Sequence, residues 1–231
     1  VSATPAISVV LPVHRADRHL EEAVRSILDQ SHRDFEFLIG ANGPDRELSH
    51  ELTRIVAGDP RTTIVRTSLP QLCFTLNHLV ERARGQWVVH MDGDDVSEPH
   101  RIARLAEFMT DDGPDVIGSW VTLIDPKGRT IGELRPPTGD REIRRKTWRG
   151  PQLLHPSVAF RRDFWLRMRG YLGGFVTEDL DLWIRAVAAY PGRDSRRHRR
   201  LALRHTRDHG VGEAARSGRP RGLRTGPRGD D

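Results

Sequence analysis

The chain has 231 residues, 36% hydrophobic and 30% charged, with a formal net charge of +5, which suits one folded domain with a substantial core. Its single cysteine, Cys73, excludes an intramolecular disulfide framework and a cysteine-rich zinc site. No stretch approaches the roughly 20 apolar residues that span a bilayer, and the N-terminus has no basic segment followed by an apolar run, so a reducing, cytoplasmic location is expected.

In chain order, residues 7–11 form a short apolar run closed by Pro12, a buried-strand signal. Over residues 18–30, Leu20, Ala23, Val24, Ile27 and Leu28 mark one face of a helix. Residues 35–39 predict a second strand and residues 40–44 a turn. Leu48, Leu52, Ile55 and Val56 fit a second helix, and residues 62–65 a third strand. Leu72, Leu76, Leu79 and Val80 define a helix over 71–84 that Gly85 stops. Residues 87–91 are a fourth strand, and a helix begins near Pro99. Residues 116–117 and 120–124 read as strands, and Asp125-Pro126-Lys127-Gly128 as the turn of a hairpin with 130–134. Residues 158–160 are another strand. Residues 179–190 are a helix with Leu182, Trp183, Ala186 and Val187 on its buried side.

The positive charge is uneven. Residues 191–231 hold 12 Arg and 5 acidic residues, a net of +7, which leaves −2 for residues 1–190. The tail has no aromatic residue and few aliphatic ones, so it is expected to lack the apolar surface that ordering requires. The chain therefore divides into a folded body, 1–190, and a basic, disordered tail, 191–231. The tail is either a basic extension or the product of a reading-frame change. The near-neutral body predicts no specific nucleic-acid partner, while the tail's arginines predict contact with anionic membrane surfaces, on the inner face of the membrane.

Alternating strands and helices imply right-handed crossovers and a mainly parallel sheet. Ligands on such sheets bind at the carboxyl ends of the strands, which directs attention to the segments after Leu11, Ile39 and Met91. The last is the acidic turn Asp92-Gly93-Asp94-Asp95. Two carboxylates one residue apart can face one hard cation, which takes oxygen ligands and shares them with substrate phosphates. Gly93 would let the backbone fold tightly and keep space for a ligand. The competing reading is a solvated turn in which Asp95 or Ser97 caps the next helix. A second acidic pair, Glu178-Asp179, opens the last helix. It complements the helix dipole, or it supplies a general base for a hydroxyl, beside a Gly173-Gly174 loop. The third segment is His155-Pro156-Ser157, followed downstream by Arg161-Arg162, with His155 in a supporting role.

The order and content of these segments resemble the family-two glycosyltransferases. The likeness runs over about residues 6–190: the opening strand to Pro12, Asn77 through Gly85 to Trp87, Met91 to Asp95, Pro99-His100-Arg101, His155 to Arg162, and Glu178-Asp179 to Leu182-Trp183-Ile184-Arg185. It implies an α/β fold of GT-A type, a Rossmann-like sheet with helices on both faces plus a small hairpin and an acceptor-side region. It implies an inverting, metal-dependent hexosyl transfer from a nucleotide-sugar donor to a hydroxyl acceptor, serving cell-surface glycans, glycolipids or glycosylated metabolites. Asp179 would be the general base. Asp92 and Asp94 would hold the donor through Mg²⁺ or Mn²⁺, Asp94 the more direct ligand. Pro12, Val13, His14 and Arg15 would line the base pocket, with Asn42 and Asn77 also on the donor side. His155 and Glu178 would lie on the acceptor side, and Trp183 would be packing.

Two departures matter. The family usually has two aspartates after the second strand, where this chain has Ala41 and Asn42, so uridine, thymidine and guanosine donors all stay open. The tail is the other, and with it the alternative of a non-catalytic nucleotide-sugar-binding protein. A dinucleotide-binding dehydrogenase is disfavoured because no Gly-x-Gly-x-x-Gly follows the first strand.

Overall fold

All seven residues of β1 (Ile7–Val13) and all eight of β2 (Phe35–Asn42) are buried, as expected of central strands covered on both faces. The computed structural model describes residues 5–43, 46–125, 127–173 and 177–190, and the backbone of 203–214. After β1 come α1 (Leu20–Leu28), β2, α2 (Arg46–Val56), β3 (Thr62–Thr67), α3 (Leu72–Arg82) and β4 (Trp87–His90). Then follow β5 (Asp95–Ser97), α4 (Arg101–Ala106), β6 (Val116–Ile124), β7 (Thr130–Leu134) and α5 (Asp140–Thr147). The rest are a 3-10 turn (His155–Ser157), β8 (Ala159–Arg161), α6 (Arg162–Arg167), α7 (Glu178–Ala189) and β9 (Leu203–Ala214).

The sheet runs β3-β2-β1-β4-β8-β6-β9-β5, with β7 hydrogen-bonded to β6. β1, β2, β3 and β4 are parallel, while β8 is antiparallel to β4. Alternate side chains feed two cores. Val9, Leu11, Phe37, Ile39 and Val89 pack with Leu20, Ile27, Leu48, Leu52 and Ile102 of α1, α2 and α4. Val10, Leu38, Val88 and Phe160 pack with Leu76, Leu79, Ile143, Phe164, Leu182 and Trp183 of α3, α5, α6 and α7. Helices therefore cover both faces, and Trp183 is core packing.

Register fixes what the strand ends present. Val13 pairs with Ala41, and Val10 with His90, so the carboxyl ends of β1, β2 and β4 lie side by side. Because β8 runs against β4, its entry turn at His155–Ser157 meets the carboxyl end of β4, where the His90 N–H donates to the Val158 carbonyl at 2.9 Å.

Four expectations change. Asp95 and Ser97 cap no helix: they belong to β5, which pairs with β9, and α4 starts at Arg101 after His100. Arg161 and Arg162 are structural. Arg161 is buried 3.7 Å from Asp115 and lies over the Trp87 ring, and Arg162 donates to the carbonyls of Val80 and Glu81. Within the tail expected to be disordered, residues 203–214 form β9, parallel to β6 and antiparallel to β5. The backbone of a strand can complete a sheet with few aliphatic side chains, which compositional reasoning does not register. The rest of the tail, 191–202 and 215–231, lies outside the described residues, as does Gly174. Finally, Gly93 is not among the glycines with positive φ, and a Cβ there would meet only Val13 and Pro12, at 3.6–3.9 Å. Its backbone needs no glycine, and a Cβ would touch the end of β1 only at ordinary contact distance.

Candidate active site

The acidic turn follows β4 directly and closes with the Asp95 N–H on the Asp92 carbonyl at 3.4 Å. It is pinned from both sides. Upstream, the Met91 N–H donates to the Val10 carbonyl at 3.0 Å. Downstream, the buried Gln30 amide donates to Ser97 Oγ at 3.1 Å and the Glu98 carbonyl at 2.7 Å, while its Oε1 accepts the Ile102 N–H at 3.0 Å. Beneath the turn, buried Arg101 donates Nη2 to the carbonyls of His90 and Pro156 at 2.8 and 2.7 Å. Burial lowers the guanidinium to about 10, against the opposing charges of Asp95 and Asp92. Arg101 thus ties the acidic turn to the His155 turn. Charge-assisted bonds to two carbonyls hold both in place.

His90 and His155 meet there, with ring centroids 3.8 Å apart. His90 Nδ1 donates to the His155 carbonyl at 3.0 Å. Its Nε2 is buried with no hydrogen-bond partner and lies 3.4 Å from Asp92 Oδ1. Burial pushes the His90 imidazole down to about 4, and holds His155 well below an ordinary histidine. Both rings are therefore neutral at physiological pH. His155 Nε2 is hydrogen-bonded to the Tyr171 hydroxyl at 2.9 Å.

Tyr171 joins the two acidic clusters. Burial, and then the charges of Asp179, Asp92 and Glu178, push its phenol well above the ordinary range. Its backbone is clamped by Asn77, whose Nδ2 donates to the Tyr171 carbonyl at 2.9 Å while Oδ1 accepts the Tyr171 N–H at 3.0 Å. Both ends of the Asn77 amide are thus committed to the chain. Gly170 (φ +63) allows this closeness, since a Cβ there would lie 2.5 Å from the Trp165 ring and 2.9 Å from Asn77 Oδ1. At the start of α7, Glu178 is buried, and Asp179 is pushed up to about 6 by burial first, with Glu178 and Asp92 adding to the effect.

Of the remaining expected residues, Pro12 and Val13 are buried in the end of β1, and His14 and Arg15 follow exposed. Asn42 ends β2, 8% exposed, and its Oδ1 is buried without a hydrogen-bond partner. Asp94 is half-buried in the turn but is not in the one group of possible metal ligands among the described residues, which is His90, Asp92 and His155, with ligand atoms within 4.8 Å of one another. This donor set fits a divalent cation: a carboxylate, and an orphaned buried nitrogen aimed at it. Sequence reading missed Tyr171 and the roles of His90 and Arg101. The signal for His90 was a histidine inside an otherwise apolar buried strand.

The Glycosyl transferase family 2 pattern matches residues 8–168. The chain belongs to this family. Among relatives of this glycosyl transferase family 2 chain, the O-antigen biosynthesis glycosyltransferase WbnJ of Escherichia coli is 35% identical over 186 residues, covering 80% of this chain and 73% of its own. Two solved structures share the GT-A fold. TarS of S. aureus in complex with UDP-GlcNAc superposes with a TM-score of 0.67 at 15% identity, covering 92% of this chain and 59% of its own. The mannosyltransferase PcManGT of Pyrobaculum calidifontis, in complex with GDP-Man and Mn²⁺, gives 0.66 at 15% identity, with 94% and 59% covered. The chain thus spans about three fifths of the solved chains it matches. No helix among the described residues is long and apolar enough to cross a membrane.

Proposed function

We propose that the chain is an inverting glycosyltransferase that moves a sugar from a nucleotide-diphosphate donor to an acceptor hydroxyl, in the biosynthesis of a cell-surface glycan. The observation that carries this reading is the convergence of Asp179 and the Asp92 turn on Tyr171. Each carboxylate raises the Tyr171 phenol, and Asp92 raises Asp179. A prospective base and a prospective donor site are thus close enough to feel one another's charge, and both act on the buried Tyr171.

In this reading the carboxyl ends of β1 and β2 receive the nucleoside, with Asn42 Oδ1 available to accept a ring N–H from the base. Asp92 and Asp94 would hold a divalent cation for the donor, and that ion would supply positive charge against the charge growing on the departing nucleotide. Asp179 Oδ1 accepts the Leu180 N–H at 2.7 Å, leaving Oδ2 to take the acceptor's proton. As that proton leaves, the acceptor oxygen bonds to the anomeric carbon and the bond to the diphosphate oxygen breaks on the opposite face, its electron pair departing with the nucleotide. Asn77 and Arg101 are positioning residues, one for Tyr171 and one for the two turns. Positioning and fixed charge would supply most of the acceleration.

The relative's role in O-antigen biosynthesis and the 12 arginines after residue 190 support work at the inner face of a membrane, where the tail meets anionic lipid. The test is incubation of the full chain with uridine, thymidine and guanosine diphosphate sugars, Mn²⁺ and a panel of glycan acceptors, following nucleotide diphosphate release. Release that depends on acceptor supports the reading. Donor binding without turnover for every acceptor would move it to the non-catalytic alternative.

A further inference from the structure

The contact between His90 and Asp92 is unusual in its chemistry. His90 Nδ1 is spent on the His155 carbonyl, so in the neutral ring Nε2 carries a lone pair. That lone pair faces Asp92 Oδ1 at 3.4 Å, in a place where Nε2 has no hydrogen-bond partner. Two acceptors held face to face repel unless a proton or a cation lies between them, and a buried acceptor left unmet costs about 1–3 kcal/mol. His155 stands against the same point, with its ring 3.8 Å from that of His90 and its ligand atom within 4.8 Å of the other two. The second contacts are those that metal-bound histidines carry: a backbone carbonyl behind His90, and the Tyr171 hydroxyl, itself clamped by Asn77, behind His155.

We propose that His90, Asp92 and His155 form a cation site in the nucleotide-free protein that takes divalent first-row transition ions (Mn²⁺, Co²⁺, Zn²⁺) ahead of Mg²⁺. Two of the three ligands are imidazole nitrogens, which suit transition ions, whereas Mg²⁺ takes oxygen and keeps its water. An Asp92–Asp94 pair alone would offer oxygen only and would bind a cation weakly until a diphosphate arrived. The histidines make the ion resident before a diphosphate arrives. The proposal rests on the glycosyltransferase reading only for what later joins the ion, so its test omits donor and acceptor.

Mn²⁺ is titrated into the full chain without nucleotide and followed by electron paramagnetic resonance, and the bound ion is examined by pulsed methods for ¹⁴N coupling. Saturable binding with imidazole ¹⁴N coupling is expected, with Co²⁺ displacing Mn²⁺ at far lower concentration than Mg²⁺. His155→Gln should weaken Mn²⁺ at least about tenfold, and by more than Asp94→Asn does. Because His90 is fully buried, the ¹⁴N signal of the unmodified chain tests its role without a variant. Bound Mn²⁺ without ¹⁴N coupling, or binding lost with Asp94→Asn and kept with His155→Gln, overturns the proposal and leaves the oxygen-only donor site standing. So does an absence of saturable Mn²⁺ binding to the folded chain. Failure of sugar transfer with the ion bound would instead count against the glycosyltransferase reading alone.

Discussion

Replacing Asp179 by asparagine should stabilise the protein and stop transfer at the same time. Burial moves this carboxyl from an ordinary 3.8 to about 6, and holding it charged at neutral pH costs about 3 kcal/mol relative to the unfolded chain. The sign follows from proton counts. Between the two values the folded state binds the proton more tightly than the unfolded state. The stability of the unmodified protein therefore falls as pH rises through this window and is level above it. Asparagine is neutral throughout. The variant should be more stable by about 3 kcal/mol at pH 7.5, a rise of roughly 6–12 °C in Tm for a chain of this length, and by only about 1 kcal/mol at pH 4.5. Transfer should drop by about 10²–10⁴, the usual contribution of a general base, with donor affinity retained. Urea melts at the two pH values and a donor-binding titration read all three quantities. A stability difference that does not change with pH, or transfer within a few fold of the unmodified chain, would refute the assignment of Asp179 as a half-buried base.

The same carboxyl predicts an acid limb in the rate: transfer should fall about tenfold per pH unit below a midpoint near 6, and a limb centred near 4 would mean that Asp179 is not the titrating group. Asn77→Ala strips both backbone partners from Tyr171 and should cost about 2–3 kcal/mol in urea unfolding, where a loss below about 0.5 kcal/mol would show that the clamp is not needed. Arg101→Met frees two carbonyls beneath the acidic turn and should destabilise by about 3 kcal/mol while raising donor KM more than Arg101→Lys does; equal KM values would remove Arg101 from its positioning role. Asn42 Oδ1 should favour bases that carry a ring N–H, so uridine and guanosine diphosphates should bind better than cytidine diphosphate. Asn42→Leu should erase that preference at a cost of about tenfold, one net hydrogen bond, and calorimetry showing no preference in the unmodified chain would exclude the contact.

The central strands and long helices were legible because their signals are local. The face Leu20, Val24, Ile27 and Leu28 repeats at the helical period, and β1 and β2 are short apolar runs buried throughout. Smaller elements were not legible. β5 has three residues, too few for a period, and α5 buries only Ile143 and Thr147, so its sequence reads as solvated. The tail's composition concealed β9, whose pairing is a property of backbone and neighbour. The acidic turn and Asp179 stood out by motif, but Asn77 did not reveal that its amide grips Tyr171, 94 residues away. That contact depends on α3 and the 170–171 turn arriving together, which only packing decides. His90 was read as one more strand residue, since its partners lie in the turn that the antiparallel β8 delivers.

The site has one electrostatic theme. Burial drives four groups around the Asp92 turn toward their neutral forms: His90 and His155 down, Tyr171 and Asp179 up. The turn is also held folded by Arg101, a cation that hydrogen-bonds to backbone carbonyls. A region that suppresses its own ionisation favours a guest of low net charge, because an isolated charge loses its hydration there. A nucleotide diphosphate alone is such a charge, and a divalent ion held by Asp92 and the two imidazoles would meet it. Together they nearly cancel, and the imidazoles can lend the ion ligands without adding charge. The burial that makes Asp179 expensive to ionise therefore also favours a diphosphate that meets a cation over one that arrives alone. It also ties the two clusters, 87 positions apart in sequence between Asp92 and Asp179, into a single site through Tyr171.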